Sequence, residues 1–339
     1  MKALLVKMSS LGDIVHTLPA ISDLQAARPD VRLHWLVERS YAELAGWHQG
    51  VEQVWPIDQR SWLRQRRWVD WRAFVAQRQQ WREQHFDLVV DAQGLIKSAL
   101  IARSVGARDC HGFDRASSRE ALAGWLMSSA HGVDPLLPAV ARTRHLFAEV
   151  FGYRLSASVD FGIQHHFVRV TRDERAMVLL PGSSWASKYW PRAHWQQLAS
   201  QAMTAGWRVS VVWGSDDERR FAQQLAAVLP QINLATHRET ITEVATRLAG
   251  AGMVVGLDSG FCHLAAALGK PVIALFGASS ATRFGVLGSP ASNLSVCLSC
   301  SPCHQRQCPR LSSGEHDAPC MTALTAEAVW NQILALSPC

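Results

Sequence analysis

A chain of 339 residues, 48% hydrophobic and 18% charged, is long enough for two domains and apolar enough to bury a core in each. It has no run of about 18 uncharged apolar residues, the length a spanning helix needs, and the start MKALLVKMSSLGD has too short an apolar part for a secretion signal, so a cytoplasmic protein is expected. A formal charge of +6 with 14 Trp suits a polyanionic partner, either nucleic acid or an anionic membrane surface, and the eight Cys of a cytoplasmic chain should mostly be reduced.

In chain order, Lys2 to Val6 reads as a short buried strand, Ser9 to Asp13 as a loop, and Ile14 to Ala27 as a helix with Pro19 near its start. This is the usual entry to a doubly wound sheet, although the loop is not the G-x-G-x-x-G of a dinucleotide fold. Asp13 falls at the carboxyl end of the first strand, where open α/β sheets bind ligands; a helix cap is the alternative role. Val31 to Val37 and Val51 to Ile57 read as strands. Between Arg60 and Arg82 stand seven arginines against one Asp, with Trp62, Trp68, Trp71 and Trp81 interleaved. Their spacing is helical from Val69 to Gln84, and they suit either a solvated helix face over packed Trp or a docking surface for a polyanion. Asp87 to Asp91 is a strand, followed by Ala92-Gln93-Gly94 and a helix from Leu95, with Lys97 at the turn. Cys110 to Arg119 reads as a polar substrate loop, Arg142 to Phe151 as a helix, and Arg154 to Arg172 as the stretch holding the linker.

The second half repeats the pattern. Strands are expected at Ala176 to Leu180, Trp207 to Gly214 and Ile232 to Ala235, with helices at Arg192 to Ala205, Asp216 to Val228 and Ile241 to Ala249. In VVGLDSGFCHLAAALGKPVIALFG a strand ends at Leu257, a helix runs from Phe261 to Leu268, and a strand covers Pro271 to Phe276. Asp258, Ser259 and Gly260 therefore sit at a strand-to-helix turn that suits a phosphate, with His263 on the first helical turn. A last helix runs from Ala326 to Leu336. The expected division is residues 1–160, residues 161–321, and a C-terminal helix within 322–339.

The motifs KMSSLGDIVHTLPAISDLQ, HWLVE, DAQGLIKSA, SSWASKYWPRAHW and LDSGFCHLAAAL together resemble glycosyltransferase family 9, specifically its lipopolysaccharide heptosyltransferase I members. The resemblance covers roughly Met1 to Gly285. It implies the GT-B fold, an α/β architecture of two Rossmann-like domains facing each other across a central cleft, the N-terminal one for the acceptor and the C-terminal one for the ADP-sugar. It also implies inverting transfer of L-glycero-D-manno-heptose from ADP-heptose to Kdo of Kdo2-lipid A. No catalytic metal or other cofactor would be required, nucleic acid would not be a partner, and the enzyme would sit peripherally on the cytoplasmic face of the inner membrane. Asp13 would be the general base. Ser183, Ser184 and Lys188 would hold the diphosphate, with Lys188 also catalytic, Glu218 the ribose, and Asp258, Ser259, Gly260 and His263 the second donor turn. Ser10, Gly12, Arg60, Arg64, Arg66, Arg67, Lys97 and Arg119 would meet the acceptor, whose phosphates and carboxylate match the arginine stretch.

One segment departs from that pattern. Cys297-x2-Cys300-x2-Cys303-x4-Cys308-Pro309, followed by Cys320, looks more like the tail of other family 9 members. Reduced structural thiols, a structural Zn or Fe site at Cys297, Cys300, Cys303 and Cys308, an Fe–S cluster and disulfides are the readings considered. The tail leaves open another family 9 transferase acting on heptose or on a protein. A GT-B sugar-nucleotide epimerase would have no use for the arginine stretch, and a nucleic-acid binder would leave Asp13 and the Asp258 turn without a role.

Overall fold

The computed structural model describes residues 1–58, 68–288, 290–312 and 317–336, with backbone alone for 68–71. Arg60, Arg64, Arg66 and Arg67 lie outside the described residues. The chain divides into two compact units, Met1–Ile163 and Gln164–Cys339.

The first unit is a parallel sheet of β1 (Lys2–Val6), β2 (Arg32–Glu38), β3 (Val51–Ile57), β4 (Leu88–Asp91), β5 (Asp109–Phe113) and β6 (Ser129–His131), in the order β3-β2-β1-β4-β5-β6. The second has β7 (Asp173–Leu180), β8 (Arg208–Val211), β9 (Asn233–Leu234), β10 (Ala251–Leu257), β11 (Val272–Phe276) and β12 (Ala291–Ser295), in the order β12-β11-β10-β7-β8-β9. Both are wound the same way. The chain builds outward from its first strand in one direction, then returns to that strand and builds in the other. The strand order therefore reverses between β1 and β4, and again between β7 and β10. At such a point the loops leaving the two strands diverge to opposite faces and open a crevice at their carboxyl ends.

The central strands are near-continuous apolar runs because helices cover both faces of each sheet. Leu4 and Val6 meet Leu36, Val89, Ile101 and the fully buried Trp81 in the first unit. In the second, Met177, Leu179, Val209, Met253, Val255 and Ile273 pack with Trp190, Trp195, Leu198, Val329 and Ile333. The C-terminal helix Ala326–Leu336 is therefore part of the second core. Much of the Trp content is also core. Trp35, Trp47, Trp81, Trp190, Trp195, Trp207, Trp213 and Trp330 are all buried, so these Trp belong to the cores and not to a surface. Each contributes roughly 2–3 kcal/mol by leaving water.

Several expected elements differ. The first helix is two, Leu11–Val15 and Leu18–Ala27, which puts Asp13 inside a helical turn rather than in a loop. The polar loop expected at Cys110 to Arg119 begins as strand β5. The described part of the arginine helix, Trp68–Glu83, buries Trp81, and Arg78 donates to the Ser104 carbonyl, while Arg72 and Arg82 are exposed. Arg144, in the helix Ala139–Phe151, forms a bidentate pair with Asp23 in Leu18–Ala27, both nearly buried, and also donates to the Ser156 and Ser158 carbonyls. This pair fixes the last helix of the first unit to the helix behind Asp13.

Candidate active site

In the first unit, polar groups converge where β1 and β4 part. Beyond Val6, the Lys7 ammonium is buried; it donates to the Ala92 carbonyl at 2.9 Å and stands 3.7 Å from Asp13 Oδ1. Burial lowers the Lys7 pKa, while the nearby Asp13 charge works the other way. Asp13 is the third residue of Leu11–Val15, and its Oδ2 accepts the Ser10 N–H at 3.0 Å, closing the first turn. Arg119 Nη2 donates to its Oδ1 at 2.6 Å. Burial disfavours the Asp13 charge, but Lys7, Arg119 and the Ser10 N–H outweigh burial and hold the carboxyl well below the usual range.

Behind this group Asp91 accepts the Gln93 and Gly94 N–H groups and the Ser98 hydroxyl, and burial pushes its pKa up to about 6. Gln93 Oε1 accepts the Met8 and Ser9 N–H groups and so ties the β1 loop to the β4 loop. Gly94 has φ +68°, and a Cβ there would press on the Arg119 backbone at 3.3 Å, so this turn requires glycine. A cavity of about 30 Å³ lies between Lys7, Asp13, His16, Gln93, Arg119 and Arg142. Ser10 and Gly12 adjoin Asp13 in the chain but do not line the cavity, and neither does Lys97, exposed on the helix Ile96–Ser104. Sequence reasoning missed Lys7, Gln93 and Arg142. The first two lie in the motifs already singled out, but Arg142 carries no local signal.

In the second unit the matching crevice opens between β7 and β10. Lys188 ends a short 3-10 turn, and its Nζ donates to Asp258 Oδ2 at 2.6 Å while lying 4.5 Å from the Trp185 ring centre. Asp258 follows β10; Ser279 donates to its Oδ2 at 2.5 Å, and His263 Nε2 is 3.7 Å from its Oδ1. Burial again opposes the charge, and His263, Lys188 and Ser279 overcome it, holding Asp258 well below the usual carboxylate range. Ser259 caps the eight-residue helix Gly260–Ala267, whose first N–H groups lie beside Asp258. The structure thus brings Lys188, Asp258, Ser259, Gly260 and His263 together.

Ser183 Oγ accepts the Trp185 N–H, and Ser184 is exposed on the same loop. Glu218 Oε2 accepts the Gly214 and Ser215 N–H groups, a capping box on the helix Asp216–Val228, and its Oε1 would lie 2.4 Å from a Cβ at Gly182. That close approach, open only to glycine, sets the Ser183 loop against Glu218. A cavity of about 610 Å³ is lined by Trp213, Gly214, Ser215, Arg219, His237 and Arg238 at the ends of β8 and β9.

The cysteine segment supports the Lys188 loop. Ser187 Oγ donates to the Gln305 carbonyl at 2.5 Å, and its N–H to the Arg306 carbonyl at 3.2 Å. Among the described residues no group of three or more His, Cys, Asp or Glu is placed to hold a metal ion. Cys297, expected as the first ligand, is exposed, while Cys300, Cys303 and Cys308 stand near the buried Cys320, all as free thiols.

Two parallel doubly wound units, each with a charged crevice at its switch point, make the GT-B architecture. The glycosyltransferase family 9 (heptosyltransferase) model matches residues 74–312. The lipopolysaccharide heptosyltransferase 1 of Pseudomonas aeruginosa is 38% identical across 99% of this chain and 98% of its own length. The E. coli heptosyltransferase WaaC, solved with ADP, superposes with a TM-score of 0.86 at 32% identity, covering 99% of both chains. The same enzyme solved with ADP-2-deoxy-2-fluoro heptose gives a TM-score of 0.83 at 31% identity and the same coverage. The chain belongs to glycosyltransferase family 9.

Proposed function

We propose that this chain transfers L-glycero-D-manno-heptose from ADP-heptose to Kdo of Kdo2-lipid A, with inversion, in lipopolysaccharide inner-core synthesis. The observation that carries this reading is the pair of charged switch-point crevices, Lys7–Asp13–Arg119 in one unit and Lys188–Asp258–His263 in the other, in a chain so close to heptosyltransferase 1 enzymes.

The donor's diphosphate lies on Lys188, the Ser183–Ser184 loop and the first N–H groups of Gly260–Ala267. Glu218, one strand further out, takes the ribose. The base then continues outward, into the cavity at the ends of β8 and β9. The acceptor hydroxyl attacks the anomeric carbon from the face opposite the diphosphate. Its oxygen–carbon bond forms as the bond from that carbon to the phosphate oxygen breaks, and ADP leaves with the electron pair. The hydroxyl proton passes to Asp13. A carboxylate of low pKa can accept it because the oxygen becomes strongly acidic once its new bond is forming. Positive charge on Lys188 and the helix N–H dipoles stabilise the departing diphosphate. Arg119, beside the base, takes an acceptor anion.

ADP release from ADP-heptose, compared with Kdo2-lipid A and with an already heptosylated acceptor, tests this directly. Turnover is expected with the first. Turnover confined to the second would assign the chain to another family 9 transferase.

A further inference from the structure

The first unit exposes large apolar side chains on two neighbouring helices. On Ile96–Ser104 the faces separate cleanly: Ser98, Ala99, Ile101 and Ala102 are buried, while Lys97, Leu100 and Arg103 face water at i, i+3, i+6 spacing. On Ala121–Trp125, Ala123 and Gly124 face inward, and Leu122 and Trp125 face outward. The two helices pack together, and the Ile96 N–H donates to Glu120 Oε2 at 2.7 Å, joining their first turns. Leu100 is 55% exposed, Leu122 54% and Trp125 65%.

A solvated Trp and two solvated Leu on adjoining helices leave apolar surface in water that neither packing nor capping requires. Their surroundings are cationic. Lys97 and Arg103 flank Leu100 on its own stripe, and the Arg115 guanidinium sits 4.6 Å from the Trp125 ring centre. Arg119, whose hand is on Asp13, leaves the same loop one residue before Glu120. Trp and Leu with a basic rim suit the headgroup boundary of an anionic bilayer, where the indole sits at the interface and Lys and Arg meet phosphate.

We propose that Leu100, Leu122 and Trp125, rimmed by Lys97, Arg103 and Arg115, are the surface by which this protein docks on an anionic membrane. The proposal rests on the reading that the acceptor is lipid-linked. Docking here would bring the loop that carries Arg119, the partner of Asp13, toward the bilayer that carries the acceptor. No helix among the described residues is long and apolar enough to cross a membrane, so this contact is interfacial.

The test uses the full chain with vesicles of phosphatidylcholine alone or with about a third phosphatidylglycerol. Wild type should sediment with the anionic vesicles, less so in high salt. Leu122→Asp, Trp125→Ala and Leu100→Asp should each weaken that binding about tenfold. Val228→Asp, at a residue 56% exposed in the second unit, should not. Because the three side chains face water, thermal unfolding should be unchanged. In assays the variants should lose rate on acceptor embedded in vesicles but keep wild-type kcat/KM on the deacylated, water-soluble acceptor. Wild type that ignores anionic vesicles, or variants that bind them normally, would overturn the proposal. So would variants that turn a dimer into a monomer without changing vesicle binding, since the patch would then join two copies of the chain. Loss of turnover on the soluble acceptor by wild type itself would instead sink the functional reading.

Discussion

Asp13 carries the sharpest prediction because its surroundings argue against an ordinary cap. A cap needs the Ser10 N–H; it needs neither a buried lysine 3.7 Å away nor an arginine at 2.6 Å. Asp13→Asn keeps the shape and removes the base, so kcat should fall by about 10²–10⁴-fold while the Kd of ADP-heptose stays put. A mere cap would tolerate Asn with activity intact. Arg119→Ala tests the electrostatics. Without the guanidinium the Asp13 pKa must rise, so protonation silences the base at higher pH, and the acid limb of kcat/KM should move upward on a pH–rate profile. An unmoved limb would mean Arg119 does not govern the base.

Asp91 behaves oppositely, because burial outweighs its three hydrogen bonds. Its folded pKa, about 6, lies above the unfolded carboxylate value. The native state therefore binds the extra proton between roughly pH 4 and 6, and stability is lost as pH rises through that window. Asp91→Asn keeps an acceptor for the Gln93 and Gly94 N–H groups. It should flatten the dependence and stabilise the protein at pH 7 by about 1–3 kcal/mol, as read by urea unfolding at pH 4.5 and 7. An unchanged pH dependence would show the carboxyl to be solvated.

Among the elements, those legible in the sequence were the ones buried on both faces. Runs such as MVLL before Pro181 and MVVGL before Asp258 have no other home. Strands β5, β6 and β12 escaped because DCHGF, SAH and ASNLS are short, polar and lie toward sheet edges, where one side of the pattern is missing. The contacts that make the site were illegible for another reason. Lys188 and Asp258 are 70 residues apart, and Asp13 and Arg119 are 106 apart; only the strand order joins them. The role of the cysteine segment was also illegible. Its spacing suggested ligands, yet what it gives the site is two backbone carbonyls, those of Gln305 and Arg306, holding Ser187. Ser187→Ala should loosen the Lys188 loop by about 1 kcal/mol. The KM for ADP-heptose should then rise about fivefold, with the KM for the acceptor unchanged. No change in either would detach the segment from donor binding.

For the whole molecule, the repeated winding makes the two crevices topological equivalents, yet their chemistry differs. The first pairs its carboxylate with two cations, Lys7 and Arg119, and sets Arg142 nearby, a surplus suited to an anionic acceptor. The second balances Lys188 against Asp258 and adds a helix N-terminus, a combination suited to a diphosphate. If the chain divides its labour this way, substitutions should sort by unit. Lys188→Ala removes one preorganised charge on the leaving group, worth about 3–4 kcal/mol. It should cut kcat/KM for ADP-heptose by roughly 10²-fold and weaken ADP binding in calorimetry, with acceptor binding intact. Arg119→Ala should weaken acceptor binding and leave the ADP isotherm as it is. A Lys188→Ala protein with wild-type ADP affinity and turnover would remove the donor from the second crevice. An Arg119→Ala protein whose only defect is ADP affinity would mean the two crevices have been assigned the wrong way round.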